Sequence, residues 1–102
     1  MFRRPFADVI ERQLALFERE HENLIRDVVA AERAYDRAPR EEAEERYGDY
    51  VDLVETATET LADLRDHFAS TLDEDADERY SAAFNRAVLK RWPPFALELE
   101  DR

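Results

Sequence analysis

The sequence contains no cysteine, one glycine and four prolines. The absence of cysteine excludes disulfide bonds, thiol catalysis and cysteine-ligated zinc. The one glycine and four prolines together are too few to form the turns of a multi-stranded sheet. No apolar run approaches the length that spans a bilayer, and no signal-peptide segment opens the chain. These absences favour a soluble helical protein, which we expect to be cytoplasmic.

The sequence also has fewer basic residues than acidic ones. The 102 residues include 26 acidic and 15 basic ones, for a formal net charge of −11. Nucleic acids and anionic membrane surfaces attract basic surfaces, so we expect neither as a partner. The chain has no glycine-rich phosphate loop and no nucleophile beside an evident base. We therefore expect no catalytic activity and no cofactor.

Two long stretches carry apolar residues at alternating spacings of four and three. The first runs from Ile10 to Tyr35 and the second from Ala43 to Phe68. This heptad pattern is typical of helices that pack along a seam. The sequence predicts an all-α fold, in which a long antiparallel, coiled-coil-like helical hairpin carries a shorter third helix on one side, as a small bundle. The expected parts of this single domain, 1–102, are helices over about 5–36, 39–72 and 76–91 and a C-terminal tail over 92–102.

One lateral side of the hairpin is the predicted docking side for the third helix, because small residues there permit close approach. The third helix spans about 24 Å, whereas each hairpin helix spans about 45 Å. The apolar tail therefore has to cover the rest of that side. The residues on the predicted docking side are Ala15, Ile25, Val29, Gly48, Val51, Thr58, Ala62, Ala69 and Leu72.

If the tail does not fold back, an apolar strip stays open and a second chain is its natural cover. This is the reason to expect a homodimer, or contact with another protein partner. The tail residues that are candidates for docking to a partner are Trp92, Phe95, Leu97 and Leu99.

The positions farthest from the seam have opposite charge on the two hairpin helices. They are solvated outer faces in one interpretation and complementary surfaces for side-by-side association in the other. The first helix carries Arg12, Arg19, Arg26 and Arg33 there, and the second carries Glu45, Asp52, Glu59 and Asp66.

Glu18 and His21 form a Glu-x-x-His motif inside the first predicted helix. The motif resembles one used by ferritin-like bundles that bind two metal ions, which implies a metal site completed by the same pair across a dimer. Two other interpretations remain for His21. It is a polar layer that sets the register of the seam, or a pH-sensitive imidazole beside Glu18.

Three tyrosines, Tyr35, Tyr47 and Tyr50, lie near the first turn. They either close that end of the core or form a site for a small ligand or a peptide. Taken together, the patterns favour a small helical interaction or scaffold protein without catalytic activity. The alternative is a ferritin-like metal-binding bundle that uses Glu18 and His21 across a dimer.

Overall fold

The computed structural model describes residues 4–102. Residues 1–3, which belong to the predicted domain 1–102, lie outside the described residues. Within the described part, helices are the only regular secondary structure, and this confirms the predicted all-α fold class. The elements are α1 (Ala7–Glu20), α2 (Glu22–Asp36), a 3₁₀ turn (Arg40–Glu42), α3 (Ala43–Ala69), α4 (Glu74–Arg91) and α5 (Pro93–Ala96).

The first helix differs from the prediction because it is divided at His21. The backbone of His21 has φ −121° and ψ 31°, which lies outside the helical region. Its N–H still donates to the carbonyl of Phe17 at 2.9 Å, and its carbonyl accepts from Ile25 at 3.0 Å. Helical hydrogen bonds therefore continue across His21, although the helices on its two sides pack against different neighbours. α2 packs along α3, whereas α1 packs on α4.

Tyr80 of α4 joins three helices. Its ring centroid lies 5.5 Å from that of Phe6, before α1, and 4.7 Å from that of Phe68 on α3. Its hydroxyl donates to Oε1 of Gln13 on α1 at 2.8 Å. Burial of this residue raises the pKa of the phenol to about 12, against a weaker opposing effect of the Gln13 hydrogen bond.

α4 begins at a capping aspartate. The side chain of Asp73 accepts a hydrogen bond from the N–H of Ala76 at 2.8 Å, which satisfies one free donor at the helix start. Trp92 ends α4, and two prolines then open α5, because proline fits the first turn of a helix. The predicted tail therefore contains a short helix.

The core lies where α1, α4, α5 and the C-terminal half of α3 meet. Beyond it, α2 and the N-terminal half of α3 continue as a two-helix arm, residues 25–55. Val28 is the only fully buried side chain in that range. The molecule is accordingly elongated, with extents of 50 × 25 × 22 Å. The largest fully buried side chains of the core are Tyr80, Phe84, Leu61, Leu99 and Val88.

Candidate interaction surfaces

The guanidinium of Arg65 fastens the C-terminal segment to α3. Arg65 is only 4% exposed, although it is charged. One nitrogen, Nη1, donates to the side chain of Asn85 and to the carbonyl of Leu99, and Nη2 donates to the carbonyl of Arg102 at 2.6 Å. Its Nε donates to the carboxylate of Asp66 at 2.8 Å. A buried charge with this full set of partners fixes the path of the tail.

The four predicted docking residues of the tail separate into two groups. Phe95 and Leu99 are buried in the chain's own core, and the carbonyl of Phe95 accepts from the hydroxyl of Thr58 at 3.3 Å. Trp92 is partly buried, with its ring near that of Phe17. Leu97 is 81% exposed. The tail therefore covers its own α3, and of the four side chains Leu97 is the one turned to solvent.

The Glu-x-x-His pair has other partners in this structure. The carboxylate of Glu18 forms an ion pair with Arg91, whose guanidinium also lies 4.8 Å from the ring centroid of Trp92. The ring of His21 packs 5.1 Å from that of Phe17. Among the described residues, no group of three or more His, Cys, Asp or Glu side chains is placed to hold a metal ion. A site completed across a dimer stays a prediction.

The three tyrosines of the first turn come together at the far end of the arm. The ring of Tyr47 lies 5.2 Å from that of Tyr35 and 6.5 Å from that of Tyr50. Burial raises the pKa of Tyr50, and the neighbouring carboxylate of Glu32 raises it further. Tyr47 remains 51% exposed. The rings line the seam at the tip of the arm, and Tyr35 and Tyr47 stay exposed to water there.

One side of α3 is packed under other helices along its C-terminal half and is left uncovered along its N-terminal half. We call the residues on this side the stripe of α3. Its C-terminal half, which α4 and α5 cover, is buried. Its N-terminal half lies on the arm and has no such cover. The spacing of four and three continues through both halves, so the residues share one side of the helix. The covered half is Thr58, Ala62, Arg65 and Ala69, and the uncovered half is Glu44, Gly48, Val51 and Glu55.

The uncovered half continues onto α2, where the heptad pattern places residues 25, 29 and 32 on the same side. We call this surface the open face. It has an apolar centre and an acidic border. Val29 is 42% exposed, and a Cβ atom on Gly48 would meet no atom within 4 Å. The open face consists of Ile25, Val29, Glu32, Glu44, Gly48, Val51 and Glu55.

The carboxylates at the border of the open face differ in their surroundings. The carboxylate of Glu32 lies near the hydroxyl of Tyr50 and helps to raise its pKa. Within residues 4–102, neither Glu44 nor Glu55 forms an ion pair. These two charges are therefore available to a partner.

The sequence matches no protein-family model, and no curated protein or solved structure is significantly similar to it. In the part of the chain that the structure describes, no helix combines the length and apolar character needed to cross a membrane. The function has to be inferred from the surfaces of the molecule itself.

Proposed function

We propose that the chain is a small helical interaction protein and that the open face is its docking surface. The observation that carries this proposal is the change along one stripe of α3. The same side of the helix is packed under α4 and α5 at Thr58 and Ala62, and is left uncovered at Gly48 and Val51. The two-helix arm buries little apolar surface by itself, so covering the open face would stabilise it.

A second copy of the chain is the proposed partner, in a homodimer. Gly48 supports this assignment, because a glycine in a helix interior costs about 1 kcal/mol relative to alanine. Within the chain, no neighbour requires the missing Cβ atom. Close approach of a second backbone at this position accounts for a glycine there.

The substitution Gly48→Arg tests the proposal. It places a long charged side chain in the centre of the open face, where the chain itself has room for it. Arginine is a far better helix former than glycine, so the free energy of unfolding of the monomer should rise by several tenths of a kcal/mol, up to about 1 kcal/mol. Self-association should weaken at the same time. Sedimentation velocity over a dilution series measures the association, and thermal melts at low concentration measure the stability.

Thr56→Arg is the matched control. It makes the same charge change on an exposed position of α3 that lies away from the open face. Its association should equal that of the unmodified chain. Equal association of the Gly48→Arg protein and the control would show that the open face is not the docking surface.

A further inference from the structure

A groove of about 720 Å³ runs between α1 and α4, on the opposite part of the molecule from the arm. A second lobe of about 410 Å³ adjoins it and shares Arg4, Pro5, Ala83 and Arg86 with it. The floor of the groove is apolar because small residues of α4 leave a depression beside the apolar face of α1. The floor residues are Ala7, Ile10, Leu14, Ala83 and Ala87.

The α4 rim of the groove is basic in a chain that is strongly acidic. Between residues 81 and 91, α4 has no acidic residue. Arg79, Arg86 and Lys90 follow one another along the rim. Within the described residues, none of these three cations forms an ion pair, whereas Arg91 at the end of the groove is paired with Glu18. Among the described residues, one carboxylate lines each lobe, Glu11 the larger and Glu78 the smaller.

The spacing of the rim charges matches that of the open face. Arg79 and Lys90 are eleven residues apart on α4, and Glu44 and Glu55 are eleven residues apart on α3. Eleven residues make slightly more than three complete turns, so each pair lies on one side of its helix, about 16 Å apart. Two helices with these pairs can therefore align both charges at once. Between the two charges, each helix presents mainly small or apolar residues.

We propose that the groove receives the open face of a second copy of this chain, with Arg79 and Lys90 opposite the carboxylates of Glu44 and Glu55. The apolar centre of the open face then covers the floor of the groove. This inference rests on the proposed function of the open face and names the surface that it contacts. When both copies make the contact, the pair closes as a two-fold dimer and leaves no free groove to extend a fibre.

Several physical properties follow from this arrangement. Opposite charges on the two surfaces speed encounter and fix the register of docking. Added salt weakens attraction between exposed charges, since the screening length falls from about 10 Å at 0.1 M to about 3 Å at 1 M. Self-association should therefore weaken as the salt concentration rises, while the fold of each copy is retained.

The experiment is a charge exchange between the two surfaces, read by sedimentation velocity and by native mass spectrometry. One protein carries Arg79→Glu with Lys90→Glu, so that both of its surfaces are acidic. The other carries Glu44→Arg with Glu55→Arg, so that both of its surfaces are basic. Each protein alone should self-associate at least about tenfold more weakly than the unmodified chain, which corresponds to about 1.4 kcal/mol. An equimolar mixture should restore association, because each groove again meets an arm of opposite charge.

Two controls change the charge by the same amount on the outer faces. They are Arg12→Glu with Arg33→Glu, and Glu45→Arg with Glu59→Arg, and each should associate like the unmodified chain. Circular dichroism confirms that every variant is folded.

Three results would overturn the inference. The first is a mixture that stays monomeric while the unmodified chain associates. The second is undiminished association of the protein with the acidic groove. If Gly48→Arg still weakens association in that case, the open face is a docking surface but pairs with something other than the groove, so the proposed function stands alone. The third is an unmodified chain that remains monomeric at all concentrations.

Discussion

The guanidinium of Arg65 donates a 2.8 Å hydrogen bond to the carbonyl oxygen of Leu99, 34 residues further along the chain. Replacing this arginine with methionine keeps much of the side-chain volume but removes every donor. The buried carbonyl of Leu99 then loses its partner. We expect Arg65→Met to lower the free energy of unfolding by about 2–4 kcal/mol. Denaturant melts measure the loss, and hydrogen exchange should show faster exchange at residues 95–102.

Arg26→Met is the control for this substitution, because among the described residues Arg26 pairs only with the exposed carboxylate of Glu22. An exposed pair of this kind contributes well under 1 kcal/mol. Equal losses for the two variants would mean that the hydrogen bonds of Arg65 do not hold the tail.

Removal of the chain after Arg91 should destabilise the protein without dissociating the proposed dimer. The deletion takes away Phe95 and Leu99, which are 2% and 0% exposed, and leaves Thr58 and Arg65 open to water. The proposed dimer contacts do not include these residues. Light scattering measures the oligomeric state, and thermal melts measure the stability. A dimer that becomes monomeric on truncation would show that the tail packs against a neighbouring chain.

Leu61→Ala should be among the costliest single substitutions in α3. Leu61 has no exposed surface, and its truncation leaves a cavity that the surrounding helices fill only in part. The expected loss is about 2–4 kcal/mol. Arg26→Ala on the outer face of α2 should cost less than about 0.5 kcal/mol. Similar melting curves for both variants would contradict the placement of Leu61 in the core.

The sequence was sufficient to predict the all-α class because the heptad spacing and the scarcity of glycine and proline point to the same result. It did not reveal the break at His21, since the four–three spacing runs through that residue without interruption. The fixed position of Arg65 was also missed. Its main partners are backbone carbonyls of the tail. Every residue has such a carbonyl, so the sequence does not indicate which ones accept a hydrogen bond. The available signal was Arg65 itself, a charged residue on a side of α3 that otherwise carries small residues there.

The docking side of the hairpin was predicted in the right place, and the third helix was expected to cover only part of it, but the tail, expected to cover the rest, packs on the same half as α4. Thr58, Ala62 and Ala69 are buried as that prediction requires, whereas Val29 and Gly48 remain in water. The part that was not predicted is the path of the tail. α4 and α5 cover only the C-terminal half of α3, and the small residues of the stripe do not show where the cover stops.

Alkaline pH should destabilise the protein through Tyr80. Its pKa is about 12 in the folded chain and 10.0 as the ordinary value, so the folded state keeps a proton that the unfolded state has released. The stabilisation by the neutral phenol is complete below pH 10 and is lost as the pH rises towards 12. The total change is at most about 2–3 kcal/mol. Denaturant melts at a series of alkaline pH values measure the slope.

Tyr80→Phe removes the titrating group and retains the ring. Its stability should fall less steeply over the same pH range, although Tyr50 contributes a slope of the same sign in both proteins. At neutral pH the variant should lose only about 1 kcal/mol, for the hydrogen bond to Gln13. An unchanged slope would assign the alkaline effect to other groups.

His21→Leu should preserve the fold and leave the free energy of unfolding equal or higher. Leucine has a better helix propensity than histidine, and it replaces a polar group next to Phe17 by an apolar one. Addition of Fe(II), Mn(II) or Zn(II) should not raise the melting temperature of either protein. Stoichiometric metal uptake that disappears in the variant would instead support the ferritin-like alternative.

The hydrogen bonds between Arg65 and the tail have a consequence for synthesis on the ribosome. Residues 95–102 are translated after α3 and α4, so the nascent chain displays the stripe of α3 before its cover is complete. During that interval the stripe is uncovered at Thr58 and Arg65, which contact the tail in the finished protein, as well as on the arm. Such a chain presents a longer adhesive surface than the finished protein. Completion of the tail then leaves the open face and the groove as the surfaces for self-recognition.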